Sequence, residues 1–370
     1  MVFPAMAACL LLAWSQMRYQ LALRTETKTL PDGAGDLKLD PLLSVEAPSR
    51  SLQLSARYLP TILLREPRER GTFNLLNRGL LSGTVRLSKD RRVLAEQRLA
   101  HGPTDLSWLA LASDVAPPTL TRSFRSPLIG ALESSSSLSF EQTLRRRLRF
   151  ALTARYSLSG GLSGEDQLVL PRVRSLDLGA SGTFGAGRET FSLGMTGSRG
   201  WISTGHRTSL LESSIGWRHS FRHRLESELS AGLSILGGDP AERSGVVPTA
   251  AVTLRRELPP GRRGVGGRIT LRWGPVLDRA TGALLRRAEG SARLDFAPLP
   301  AVVLSASGGA AVTPDAVPPD SRVLAQGAVG IARKLTSAFT VSAGVRLVSL
   351  PGLEWAGLIT TTLSEQGFLR

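Results

Sequence analysis

Taking every second residue of 338–349 separates Phe339, Val341, Ala343, Val345 and Leu347 from Thr340, Ser342, Gly344 and Arg346. Successive side chains of a strand point to opposite faces, so this segment has an apolar face and a polar face with an arginine at its centre. A helical period would mix the two sets. The same division sets Leu225, Leu229, Ala231, Leu233 and Ile235 against Glu226, Glu228, Ser230, Gly232 and Ser234. It sets Leu148, Phe150, Leu152 and Tyr156 against Arg149, Thr153 and Arg155, and Leu176, Leu178 and Phe184 against Asp177, Gly179 and Ser181. Leu211, Ile215 and Trp217 face away from Glu212, Ser214 and Arg218, as Ile269, Leu271 and Trp273 do from Arg268, Thr270 and Arg272. Ala288, Ala292, Leu294 and Phe296 stand against Glu289, Ser291, Arg293 and Asp295. Earlier in the chain the pattern is weaker, with Leu52, Leu54 and Tyr58 against Ser55 and Arg57, and Leu81, Val85 and Leu87 against Ser82, Thr84 and Arg86.

A soluble β-sandwich also alternates. Three features favour a single antiparallel transmembrane up-and-down β-barrel instead. The segments run about 10 to 14 residues, longer than the usual 5 to 6 and sufficient to cross a bilayer when tilted. Short and long connections alternate, as barrels with tight periplasmic turns and longer outer loops require. The count of segments is even: eighteen, from 18–28 to 354–366, or sixteen if the weak segments before residue 50 are dropped. The short connections at 48–50, 89–92, 145–147, 185–189, 220–224, 258–265, 297–300 and 333–336 each follow an even-numbered segment, which puts both ends of the barrel on the periplasmic side. The all-β barrel is therefore expected over 16–370, with the long connection 101–132 inserted in it.

Composition agrees. The 42% apolar residues and zero mean hydropathy come without a stretch approaching the roughly 18 uncharged apolar residues of a membrane-spanning helix. The 38 glycines suit close-packed strands better than amphipathic helices. Cys9 is the single cysteine, so no disulfide framework exists and a cysteine metal site is not expected. Residues 1–15 read as a secretory signal peptide: an apolar stretch ends in Ala13-Trp14-Ser15, a small-x-small cleavage pattern, without a basic n-region.

Of the 46 basic residues 42 are arginine, and the net charge is +16. The eight short turns hold +12 of it, so the excess forms a belt at one rim that would attract anionic lipid head groups. Nucleic-acid binding would want a continuous basic surface interleaved with stacking aromatics and is not expected. The polar face, expected to line a lumen, carries Arg57, Arg86, Arg155, Arg218, Arg272, Arg293 and Arg346 together with Asp177, Glu212, Glu226, Glu228, Glu289, Asp295 and Glu354. Water or ion partners must solvate such charges, and a barrel of sixteen to eighteen strands is wide enough for an aqueous channel. In the 101–132 connection, Leu106, Trp108, Leu109 and Phe124 are too apolar for a simply solvated loop, so it is expected to act as a constriction or plug.

The four histidines show no nucleophile–base spacing, and His219 with His223 lacks a third ligand for zinc, so neither catalysis, a metal nor a cofactor is expected. Trp201, Trp217, Trp273 and Trp355, with Tyr19, Tyr58 and Tyr156, suit interfacial girdles.

The stretch Tyr58-Leu-Pro-Thr-Ile-Leu-Leu-Arg-Glu-Pro67 and the repeated Leu-x-Ala-Gly strand texture resemble the outer-membrane β-barrel proteins of myxobacteria and their relatives. The long connection after the fifth segment resembles the constriction loop of general porins. Such barrels commonly end in an aromatic residue read by the barrel-assembly machinery; Phe368, followed by Leu369-Arg370, stands near that position. The resemblance implies a place in the outer membrane of a Gram-negative bacterium, among its lipids. The leading expectation is a water-filled, porin-like conduit for polar solutes. The resemblance also implies an alternative, an export port for a secreted polysaccharide working with a periplasmic partner. A plugged structural or adhesive barrel is the third reading.

Overall fold

A lipid-facing strand must have every backbone N–H and C=O bonded to a neighbour, and a sheet achieves this for all its strands only by closing on itself. The computed structural model shows that closure. It describes residues 17–29, 35–49, 51–64, 73–105, 128–221, 224–239, 245–259, 262–277, 284–315, 323–336, 339–349 and 355–368. The first strands are β1 (Arg18–Thr29), β2 (Gly35–Pro48), β3 (Leu52–Tyr58), β4 (Thr61–Leu64), β5 (Phe73–Arg86) and β6 (Arg91–Asp105). Then come β7 (Leu128–Arg145), β8 (Leu148–Gly161), a single helical turn and a half α1 (Gly164–Val169), β9 (Val173–Ala186) and β10 (Glu189–Ile202). β11 (Arg207–Ser220), β12 (Leu225–Asp239), β13 (Gly245–Arg256), β14 (Gly264–Leu277) and β15 (Leu284–Leu299) continue the wall. β16 (Val302–Val312), β17 (Val323–Lys334), β18 (Phe339–Ser349) and β19 (Trp355–Phe368) complete it.

Each strand pairs antiparallel with the next, and β19 returns to β1, where Arg18 lies opposite Phe368. β3 and β4 are two halves of one stave. They share β2 and β5 as neighbours without a change of register, and Pro60, which has no N–H to give, interrupts the ladder between them. Nineteen strands thus make eighteen staves, the number the alternation predicts.

The staves reach farther than the alternation does, farthest toward the longer connections. The segment expected at 79–88 begins at Phe73, that at 93–100 ends at Asp105, and that at 133–144 begins at Leu128. Gly102-Pro103 reads as a turn in sequence, yet it lies within β6, where Gly102 has φ +142° and a Cβ there would sit 2.4 Å from the Leu75 carbonyl oxygen.

The outside of the wall is its apolar side. Leu193, Ile215 and Val329 are each more than 60% exposed, whereas Glu26, Lys38, Asp40 and Arg287 are buried. This inverts the arrangement of a soluble domain and fits a barrel whose exterior faces hydrocarbon. The exterior also has its own vertical scale. Phe191 and Trp217 are register partners near the short-turn rim, and Trp201 lies ten residues farther along β10 on the same face. Ten residues advance about 34 Å along a strand. At a tilt of about 40° that is roughly 26 Å of height, close to the approximately 25 Å apolar band of such barrels. At the lower girdle the Trp217 indole N–H donates to Glu189, His219 Nδ1 is paired with the other oxygen of Glu189, and the His219 ring meets Phe221 edge-on at 4.2 Å.

Because the two faces meet different media, the same substitution should cost far more on one than on the other. Leu233→Arg on the outside of β12 is expected to lower unfolding free energy by about 2–4 kcal/mol, against little change for Ser214→Arg on the inside of β11. Urea titration of the protein refolded into phosphatidylcholine vesicles reads the difference.

Candidate functional site: the charged interior

Residues that lie directly opposite across a ladder share a face, so the registers carry the interior face around the whole wall. By that criterion Arg57, Arg86, Arg155, Asp177, Glu212, Arg218, Glu226, Glu228, Arg272, Glu289, Arg293, Asp295 and Arg346 all point away from the exposed leucines and valines and into the barrel. Glu354 and the loop residues Leu106, Trp108, Leu109 and Phe124 lie outside the described residues, as does the segment 1–15.

The registers also show which charges meet. Arg155 stands opposite Asp177, Glu226 opposite Arg255, and Arg272 opposite Glu289. Arg218 is opposite Glu228 and bonded to it at 3.1 Å. Elsewhere like faces like. Arg86 lies opposite Arg92, and Arg255, Arg268 and Arg293 form one row across β13, β14 and β15. Arg92 is relieved by Glu141, Arg255 by Glu257 at 2.7 Å, and Arg293 by Asp295 at 3.0 Å. The Arg268 Nε donates to the Thr270 hydroxyl at 3.2 Å. These side chains are open to solvent: those of Arg218, Arg255 and Arg293 are 49%, 53% and 63% exposed despite pointing inward.

The wall formed by β1, β2, β4 and β5 is different. Its inward charges alternate as a network that the weak alternation before residue 50 had left unassigned. Lys38 lies opposite Glu26, donates to it at 3.0 Å, and reaches Asp40 at 2.9 Å. Asp40 also accepts from Thr61 at 2.5 Å and from Arg78 at 2.9 Å, while Arg24 pairs with the other oxygen of Glu26. Arg78 is tied as well to the Leu59 carbonyl at 3.1 Å, so the same guanidinium bridges the break at Pro60. The signal for these residues was present: Leu37, Leu39, Leu43 and Val45 alternate with Asp36, Lys38, Asp40, Ser44 and Glu46. Pro41 on the apolar face and Leu42 on the polar one spoil the run.

Between β8 and β9 the connection folds back on β7. Ser163 caps α1 in a reciprocal box with Asp166, the Gly130 N–H donates to Asp166 at 3.1 Å, and Ile129 packs on Leu170. The sequence sign was Ser163-x-x-Asp166, a capping box spacing. Donation from the Ser163 backbone N–H and hydroxyl, helped by Gly130, holds the Asp166 carboxyl below its ordinary value despite a small desolvation effect.

Closed wall, apolar exterior and charged, solvated interior together define an outer-membrane β-barrel of porin-like fold. Solved structures of Pseudomonas aeruginosa share it. OccK2 (OpdF), in complex with glucuronate, aligns with a TM-score of 0.53 and 11% identity over 96% of this chain and 98% of its own. OpdK with vanillate aligns with a TM-score of 0.51 and 12% identity over 95% and 98%. At such identities the likeness is one of fold. No protein-family model matches the sequence, and no curated protein does.

Two outcomes follow from this geometry. Lys38→Met leaves Glu26 and Asp40 buried without their shared cation and should cost about 3–5 kcal/mol, against less than about 1 kcal/mol for Arg57→Met, whose pair with Glu46 is half exposed; urea unfolding in vesicles compares them. The depressed Asp166 makes its contribution fully present above the unfolded carboxyl value and lost as pH falls through the folded one. Hydrogen-exchange protection of the Gly130 and Ser163 amides, corrected for intrinsic rates, should therefore decline on acidification, and Asp166→Asn should show the low value already at neutral pH.

Proposed function

We propose that the barrel is a passive conduit for small polar solutes and that its interior favours anions. The observation that carries this reading is the row Arg255, Arg268 and Arg293. Like charges directly opposite one another across a ladder destabilise a sheet. Glu257 and Asp295 relieve the two outer members, so it is Arg268 between them, bonded only to the Thr270 hydroxyl among the described residues, that offers a planar donor to a passing carboxylate or phosphate. Arg86 opposite Arg92 adds a second such step on the other side of the interior. Their solvation keeps any bound anion exchangeable, as conduction requires. Glucuronate and vanillate, seen with two of the similar barrels, are anions of this kind.

In planar bilayers the purified protein should conduct, with anions more permeant than cations by reversal potential under a potassium chloride gradient. Replacing Arg255, Arg268 and Arg293 together by glutamine should lower that permeability ratio by roughly threefold. Deleting 106–127, which contains the apolar residues expected to narrow the path and spares β6 and β7, should raise the conductance. A refolded barrel that stays silent with and without this deletion is a plugged structural barrel, and the conduit reading fails.

A further inference from the structure

On the outer face of the wall, three arginines surround Trp201. Arg174 on β9 and Arg207 on β11 are its register partners on either side, and Arg199 lies two residues away along β10 on the same face. Strand spacing puts the Cα atoms of Arg174 and Arg207 roughly 10 Å apart and that of Arg199 about 7 Å from Trp201. The Arg199 guanidinium carbon is 5.6 Å from the centre of the Trp201 ring. All three arginines are exposed, and among the described residues none of them is ion-paired. Asp239, opposite Arg207 on β12, is the one acid in the row.

Position decides what these charges meet. They lie at the girdle opposite the short turns, beside the four-residue connection 203–206, so they face the head groups of the outer leaflet rather than its hydrocarbon. Immediately below them the surface is apolar and indented. Leu176, Leu178, Met195, Leu211 and Ile235 rim a trough whose floor is Gly197. A Cβ at Gly197 would already touch Leu211 at 3.9 Å, so the missing side chain is what leaves the space open. A cationic triangle above an apolar trough is amphipathic in the direction of the membrane normal.

We propose that this surface binds a lipid of the outer leaflet whose head group carries phosphate. The phosphate oxygens accept from Arg174, Arg199 and Arg207, the Trp201 ring seats at the interface, and one acyl chain lies in the trough over Gly197. Three guanidinium groups converging on one anion give charge-assisted bonds that a single rim arginine does not. The inference rests on the outer-membrane reading of the barrel and is independent of whether the interior conducts.

The test titrates the purified barrel in dodecyl maltoside with bisphosphorylated lipid A, reading bound lipid by native mass spectrometry. The wild type should bind lipid A saturably. The triple variant R174A/R199A/R207A should bind about a hundredfold more weakly, the loss expected for three interfacial charges. Gly197→Leu fills the trough with the arginines intact and should also weaken binding, which keeps the test decisive if the triple variant fails to refold. Arg333→Ala, outward at the opposite rim, should change nothing. Unaltered binding in both the triple variant and Gly197→Leu would overturn the proposal. So would equal binding of dephosphorylated lipid A, or complete competition by inorganic phosphate at equal concentration, which would mark a free-anion site. The strand signal of the same preparations in circular dichroism separates loss of this site from failure of the barrel itself.

Discussion

The ladder between β1 and β19 is the constraint on which everything else in this protein depends. Without it the sheet has two open edges, and their unpaired N–H and C=O groups have no partner in hydrocarbon. With it, register carries around the wall, with shifts at Thr143/Arg145 and Phe296/Leu299 beside the short turns, and between them each residue's face is fixed by its parity relative to its neighbours. Antiparallel neighbours joined in sequence require an even number of staves, and the break at Leu59-Pro60 is tolerated because both halves keep the register of one stave. The interior is consequently a surface assembled from all eighteen staves, with no single element owning a site.

That interior is unequal around its circumference. Along β1, β2, β4 and β5 the charges alternate in sign and are bonded to one another, and Glu26, Lys38 and Asp40 at their centre are buried. Removing water from an ion is costly, so such a network persists only when each member has its partners. Across β13 to β15 the balance runs the other way, with arginines adjacent in register and open to solvent. The first wall is braced throughout; in the second, Arg268 has a hydroxyl and no acid as its partner among the described residues. A conduit needs both, since a wall that spent all its donors on itself would have none to offer a solute.

Most of the fold was legible in the sequence, because period-2 alternation and the spacing of turns report the same two media that the folded wall separates. Leu225 to Ile235 and Phe339 to Leu347 carry that signal almost without noise. The misses have physical reasons. The staves overrun their alternating cores toward the longer connections, where no hydrocarbon enforces an apolar face and Gly102-Pro103 can stand in a strand. The inward direction of the thirteen described charges follows from parity alone, whereas their pairing depends on register between strands, which no single strand encodes. Arg155 and Asp177 could be named from sequence, but not placed opposite each other. Lys38 and Asp40 lie where the alternation is weakest, before residue 50, and Arg78 lies one residue ahead of the segment expected at 79–88, in the part of β5 that the alternation does not reach.

The register of β1 against β19 has a further meaning. It contains twelve opposed pairs, as many as β1 makes with β2, so the seam is as long as an ordinary junction of the wall. A cylinder of this kind has no first stave. Relabelling the strands from any turn leaves every neighbour, every facing pair and both surfaces as they were, and the geometry of the protein is cyclic even though its covalent chain is linear.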